Sequence, residues 1–164
     1  MKLRYLKIYI QIGIMLDLLN YYRLLHKINQ TIFYLKNGVL VLANGFYEWQ
    51  EINKKKVPFR FALTDDEPFA LAGLYLEHNN NLKFSIITTQ ANKSVSKYHD
   101  RMPAILPLNH EKEWLLDKSV DELLKMLNPF EDNILQVFNA PLSVNSPRYD
   151  DHDILSPLIQ ENLI

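Results

Sequence analysis

Two ionisable residues stand out for the company they keep. Glu48 lies within Asn44-Gly45-Phe46-Tyr47-Glu48-Trp49, and His99 heads His99-Asp100-Arg101-Met102-Pro103. A carboxyl between Tyr47 and Trp49 sits in apolar surroundings, which disfavour its charged form, raise its pKa and fit it to give and take protons near neutrality. Histidine is the side chain whose unperturbed pKa lies nearest neutrality. If both face one cleft, they form an acid/base pair. Residue type alone leaves each position open. A glutamate in an aromatic strand also serves as a half-exposed residue packed on its neighbours, and His99 beside two charged residues also suits a surface turn with local ion pairs.

Four blocks in register bear on the choice: Gly45-Phe46-Tyr47-Glu48-Trp49, Phe69-Ala70-Leu71-Ala72-Gly73-Leu74-Tyr75, Phe84-Ser85-Ile86-Ile87-Thr88-Thr89-Gln90-Ala91-Asn92 and His99-Asp100-Arg101-Met102-Pro103. In order and spacing they resemble the SOS-response-associated peptidase (SRAP) family, the abasic-site processing proteins. The likeness runs from about Val39 to Val144-Asn145-Ser146. It implies an α+β fold, binding of single-stranded DNA at abasic sites, and covalent capture of the sugar aldehyde in the DNA-damage (SOS) response. In that family the amine of an N-terminal cysteine forms a Schiff base and its thiol closes a thiazolidine, with peptidase self-processing and lyase activity. Glu48 and His99 match the glutamate and histidine that handle the protons. Arg101, Thr88 and Trp49 match the DNA-binding side, Thr88 as a threonine lining the pocket.

The sequence departs from that pattern at its beginning. It contains no cysteine, and Lys2 stands where the resemblance calls for one. Residues 1–38 lack the family's Tyr-Asn-x-Ala-Pro, Trp-Gly and Asn-Ala-Arg blocks, of which Ile28-Asn29-Gln30-Thr31-Ile32 is only a faint echo. Two expectations follow. In one, chemistry survives in reduced form: an α-amine, with a reference pKa of about 7.7–8.0, attacks the aldehyde and stops at a reversible imine that favours β-elimination; Lys2, with a higher reference pKa, is less often neutral. In the other, the chain is a catalytically inactive, truncated remnant that keeps the fold or weak DNA binding.

The elements that must position these groups can be sketched from composition and periodicity. At 164 residues with 48% apolar content, the chain can bury one sizeable core. A formal net charge of −1 supplies no global field toward nucleic acid, so any such binding needs a local basic patch. Four glycines cannot write a dinucleotide fingerprint or a P-loop. Asp150-Asp151-His152-Asp153 has no second cluster at ligand spacing, so neither metal nor cofactor is expected. Ile8 to Leu16 is interrupted by Asp17 and falls short of the roughly 20 apolar residues a membrane span requires. A soluble, cytoplasmic monomer is the expectation.

Residues 1–38 are expected as a divergent, helical N-terminal segment, with Leu16, Leu19, Leu24 and Leu25 on an amphipathic face, and residues 39–164 as the family-like domain. Within this frame, Ile32–Leu35, Val39–Leu42, Phe59–Leu63, Phe69–Leu76 and Leu82–Thr89 are apolar runs punctuated by Asn-Gly, Asn-Lys, Thr64-Asp65-Asp66-Glu67-Pro68 and Asn-rich turns, which predict a meander of antiparallel strands. The lysine run after Asn53 suits a solvated loop, or a contact with DNA phosphate. A short helix over 92–98 would deliver His99 to the end of a strand. Asn109 would cap one helix, and Ser119-Val120-Asp121-Glu122 would open another as a capping box, with Trp114 as a core anchor and Ile134–Phe138 as a last strand. The fold predicted is α+β: a curved, mainly antiparallel sheet or barrel with flanking helices.

Overall fold

The computed structural model describes residues 16–17, 38–78 and 81–146. In chain order the elements are β1 (Leu16–Asp17), β2 (Gly38–Ala43), β3 (Phe46–Ile52), β4 (Lys55–Leu63), β5 (Phe69–His78) and β6 (Asn81–Gln90). They continue with β7 (Arg101–Pro103), β8 (Ile105–Leu106), α1 (Leu108–Trp114), α2 (Val120–Met126), β9 (Leu135–Asn139) and a 3-10 helix (Leu142–Asn145). The α+β class is as predicted. The pairing is not a simple meander, and no closed barrel forms among the described residues.

The larger sheet runs β1-β6-β5-β2, with β7 added to β6 and β8 to β5; the smaller runs β3-β4-β9. All pairs are antiparallel except β1 with β6, where Leu16 and Asp17 stand opposite Ile87 and Thr88. The amphipathic helix expected from Leu16 onward and the strand at Ile32–Leu35 otherwise lie outside the described residues, as does Asp150–Asp153. No helix among the described residues is long and apolar enough to cross a membrane.

β5 is apolar on consecutive positions because both of its faces are covered, which is how a central strand reads in sequence. Ala72 and Leu74 face one core with Ile87, Trp114 of α1, and Leu123, Met126 and Leu127 of α2 and its cap. Leu71 points the other way, into a core shared with Val41, Phe46, Phe59, Phe61, Val95, Met102, Ile105 and Leu135. Three layers result, with the larger sheet between the helices and the smaller sheet. Trp114 is 2% exposed and its indole N–H donates to the Gly73 carbonyl at 3.0 Å, the core anchor expected of it.

Asn44-Gly45 departs from expectation. As the strongest short hairpin signal it predicts pairing of β2 with β3, yet the two strands enter different sheets. The glycine has no positive φ; a Cβ there would lie 2.7 Å from the Phe61 carbonyl oxygen and 3.0 Å from Arg60 Nε. Close approach, rather than turn geometry, requires it. The buried Arg60 guanidinium donates to the Asn44 carbonyl at 2.8 Å and ties this crossover to β4. The true tight hairpin joins β3 to β4 at Asn53 and Lys54, whose φ values of 50° and 62° are the left-handed pair of a two-residue turn. Lys55 and Lys56 therefore belong to β4 and not to the turn.

The helices differ in detail. α1 starts after Pro107, not at Asn109, and has no side-chain cap; proline's fixed φ suits an entry position and carries no N–H to satisfy. α2 opens on the full capping box of Ser119 and Glu122. Its buried stripe takes in Leu123 and Met126, with Val120 and Leu124 at the margin. Residues 93–98 form successive turns and no regular helix; Asn92 stands at their start, its Oδ1 accepting from the Val95 N–H at 3.0 Å.

Candidate active site

Successive residues of a strand face opposite ways, and partners across an antiparallel ladder share a face. Phe46 faces the core between the sheets, so Glu48 and Gln50 face the same side, opposite Phe59 and Val57 of β4. Tyr47 and Trp49 face away. Glu48 is thus a carboxyl at the margin of an aromatic core, placed there by hairpin register.

His99 reaches the same margin by another route. Tyr98, just before it, packs on Phe59 with ring centroids 4.4 Å apart and meets Phe61 edge-on at 5.3 Å, while Phe61 stacks on Phe46 at 5.0 Å. Phe59 is the residue directly opposite Glu48. Gln50 adds a latch, its amide donating to the Lys97 carbonyl at 2.8 Å. The turns from 92 to 99 are held from behind by the 130–132 loop: Asn92 Nδ2 donates to the Phe130 and Glu131 carbonyls at 3.0 and 3.3 Å, and Asp132 accepts from the Lys93 N–H at 2.7 Å. That bond and the Lys93 ammonium hold the Asp132 carboxyl below the ordinary range.

The electrostatics record the meeting. Burial pushes the Glu48 carboxyl up from 4.5 to about 7; the nearby His99 imidazole opposes the rise and the Asp100 carboxylate adds to it. Glu48 therefore stands near half-ionised at neutral pH, as a group that must both give and accept a proton should. His99 Nδ1 receives the Arg101 backbone N–H at 3.0 Å, which sets the neutral ring with its proton on Nε2. When the ring is charged, Nδ1–H has the Asp100 carboxylate and the Arg101 carbonyl, each at 3.2 Å, as acceptors.

Arg101 and Thr88 are joined to each other. The Arg101 guanidinium donates to the Thr88 carbonyl at 2.6 Å and to its hydroxyl at 3.1 Å, across the β6–β7 ladder. Thr88 is buried, so its hydroxyl steadies Arg101 from beneath. Trp49 is not brought to the Glu48 face; its indole N–H donates to Asn145 Oδ1 at 2.7 Å on the other side of the small sheet. Gln50, Asn92, Tyr98 and Asp132 escape a reading by residue type. Gln50 had a signal, since it stands two places beyond Glu48 on one strand. The contacts of Asn92 and Asp132 cross the chain and leave no local trace.

The family model for SOS response associated peptidase (SRAP) matches residues 30–147. The abasic site processing protein YoaM of Bacillus subtilis (strain 168) is 36% identical over 124 residues, covering 71% of this chain and 55% of that protein. The abasic site processing protein YMR114C of Saccharomyces cerevisiae is 30% identical over 136 residues, covering 77% of this chain and 37% of that protein. The chain thus spans about half the length of the bacterial relative and less of the yeast one. Among solved structures, a Bacteroides thetaiotaomicron protein superposes with a TM-score of 0.67 at 28% identity, covering 79% of this chain and 64% of that one. A Bordetella bronchiseptica protein, with a TM-score of 0.61 at 22% identity over 69% of this chain and 59% of its own, shares the fold.

Proposed function

Given that the chain belongs to the SOS response associated peptidase (SRAP) family, we propose that it processes abasic sites in single-stranded DNA during the DNA-damage response, as a cytoplasmic monomer. The observation that carries this reading is the meeting of Glu48, with its carboxyl raised to about 7, and the His99 imidazole at one margin of the aromatic core. An amine of the protein adds to the ring-opened sugar aldehyde. Glu48 takes the proton that the amine sheds and returns it to the departing hydroxyl as water leaves. His99 presents Nε2–H to the sugar oxygen. Arg101, steadied by Thr88, supplies positive charge for a neighbouring phosphate. Residues 39–164 carry these groups, and residues 1–38 are the divergent segment.

None of the 164 residues is a cysteine, so the chemistry proposed for them ends at an imine and not at a thiazolidine. The imine remains reversible, and its electron sink favours β-elimination of the 3′ phosphate. That same absence favours a second reading, in which the chain binds the lesion without reacting. Incubation with single-stranded DNA carrying one abasic site, with and without borohydride, separates the two. Reductive trapping that is lost in Glu48→Gln supports the chemistry; binding without trapping supports the second reading; neither binding nor trapping leaves the fold alone.

A further inference from the structure

The lysine run beyond Asn53 is divided by the hairpin into two faces. Lys56 stands opposite Glu51 on the outer face. Lys55 stands opposite Ile52 on the inner face, the side of Phe46, Glu48 and Gln50. Gln50 brings the backbone of a second lysine to that side, its amide donating to the Lys97 carbonyl two positions ahead of His99. Lys55 and Lys97 are both exposed. Two other lysines have ion-pair partners, Lys93 with Asp132 and Lys118 with Glu113, each at 3.2 Å. The ammonium groups of Lys55 and Lys97 have no such partner among the described residues.

Charge and spacing give this pair a use. The Glu48 and Asp100 carboxyls stand at the site, so a polyanion passing beside them is favoured by cations along its path. From Glu48 to Ile52 is four residues of strand, about 13 Å at roughly 3.3 Å per residue, a span of a few nucleotides. We infer that Lys55 and Lys97 form a phosphate-binding track along the inner face of the β3–β4 hairpin, which holds the nucleic-acid strand flanking the reacting sugar. The track rests on the function proposed above, and it makes the preferred substrate an abasic residue within a strand over one at a strand end.

The test is an anisotropy titration of a labelled single-stranded oligonucleotide carrying an internal tetrahydrofuran abasic analogue, which binds without reacting, over a range of salt concentrations. The variant Lys55→Gln/Lys97→Gln is expected to bind about tenfold more weakly, and its slope of log affinity against log salt is expected to fall by about 1.4, at about 0.7 for each phosphate no longer neutralised. Lys56→Gln is expected to leave both quantities as in the wild type. Unchanged affinity and slope in the double variant overturn the track while leaving the proposed function standing; so does an equal loss in Lys56→Gln, which would reflect net charge and not position. Failure of the wild type to bind at all removes the proposed function, and the track with it.

Discussion

Replacing Glu48 with glutamine is expected to stabilise the protein, and only above about pH 5. Burial holds the folded-state carboxyl near 7, against 4.5 for an ordinary glutamate. Between those values the folded chain binds more protons than the unfolded one, so stability falls as pH rises through the window and the loss is complete above it. The gap between 4.5 and about 7 corresponds to roughly 3 kcal/mol, and allowing for the part of the carboxyl that solvent still reaches leaves roughly 2–3 kcal/mol. Glutamine keeps the shape and cannot ionise. Urea unfolding followed by tryptophan fluorescence should therefore give equal stabilities for wild type and Glu48→Gln near pH 4, and a variant more stable by roughly 2–3 kcal/mol at pH 8, or about 4–12 °C in Tm for a chain of this size. The same variant loses borohydride trapping, the trade of stability for activity that a destabilised functional group produces. A difference that does not change with pH, or a variant less stable than wild type at pH 8, refutes the assignment of burial as the cause.

Asn92→Ala removes two donors and an acceptor from the turns ahead of His99, and is expected to cost about 2–4 kcal/mol by urea unfolding, with trapping reduced even where the variant remains folded. Gly45→Ala places a Cβ 2.7 Å from the Phe61 carbonyl oxygen and should lower stability by about 2 kcal/mol or more; an unchanged Tm would contradict the close approach. Trp114→Phe leaves the Gly73 carbonyl without its donor, at a cost of about 1–3 kcal/mol, and should leave trapping intact well below Tm because Trp114 lies in the core on the far side of the larger sheet.

Periodicity and turn chemistry carried the strands and α2 into view. Alternation marked β4, the apolar run from Phe69 marked β5 as a strand, and Ser119 with Glu122 marked a helix start through local bonds that any chain with those residues can make. What stayed hidden depends on partners distant in sequence. Asn44-Gly45 carries a hairpin signal, but Arg60 and Phe61 are what demand a glycine there, and neither is a sequence neighbour. The helix expected at 92–98 is a run of turns, tied by the Asn92 side chain to the 130–131 backbone, a partner distant in sequence. Glu48 and His99 could be named from residue type and family likeness, whereas their shared margin depends on Tyr98 packing on Phe59. Trp49, next to Glu48 in sequence, faces the other way for the plain reason that a strand alternates.

The two halves of the candidate site are thus placed by different physics. Glu48 depends on register: the left-handed pair Asn53 and Lys54 fixes which β4 residue it opposes, and a slip of one position would turn it to the Trp49 face. His99 depends on packing: Tyr98 on the Phe59 and Phe61 rings, with Gln50 and Asn92 gripping the turn from either side. Phe59 belongs to both, as the cross-strand partner of Glu48 and the platform for Tyr98. A carboxyl and an imidazole far apart in sequence are thereby held by one shared ring, so that volume changes at position 59 move the pair's electrostatic coupling, and with it the Glu48 titration, before they unfold the sheet.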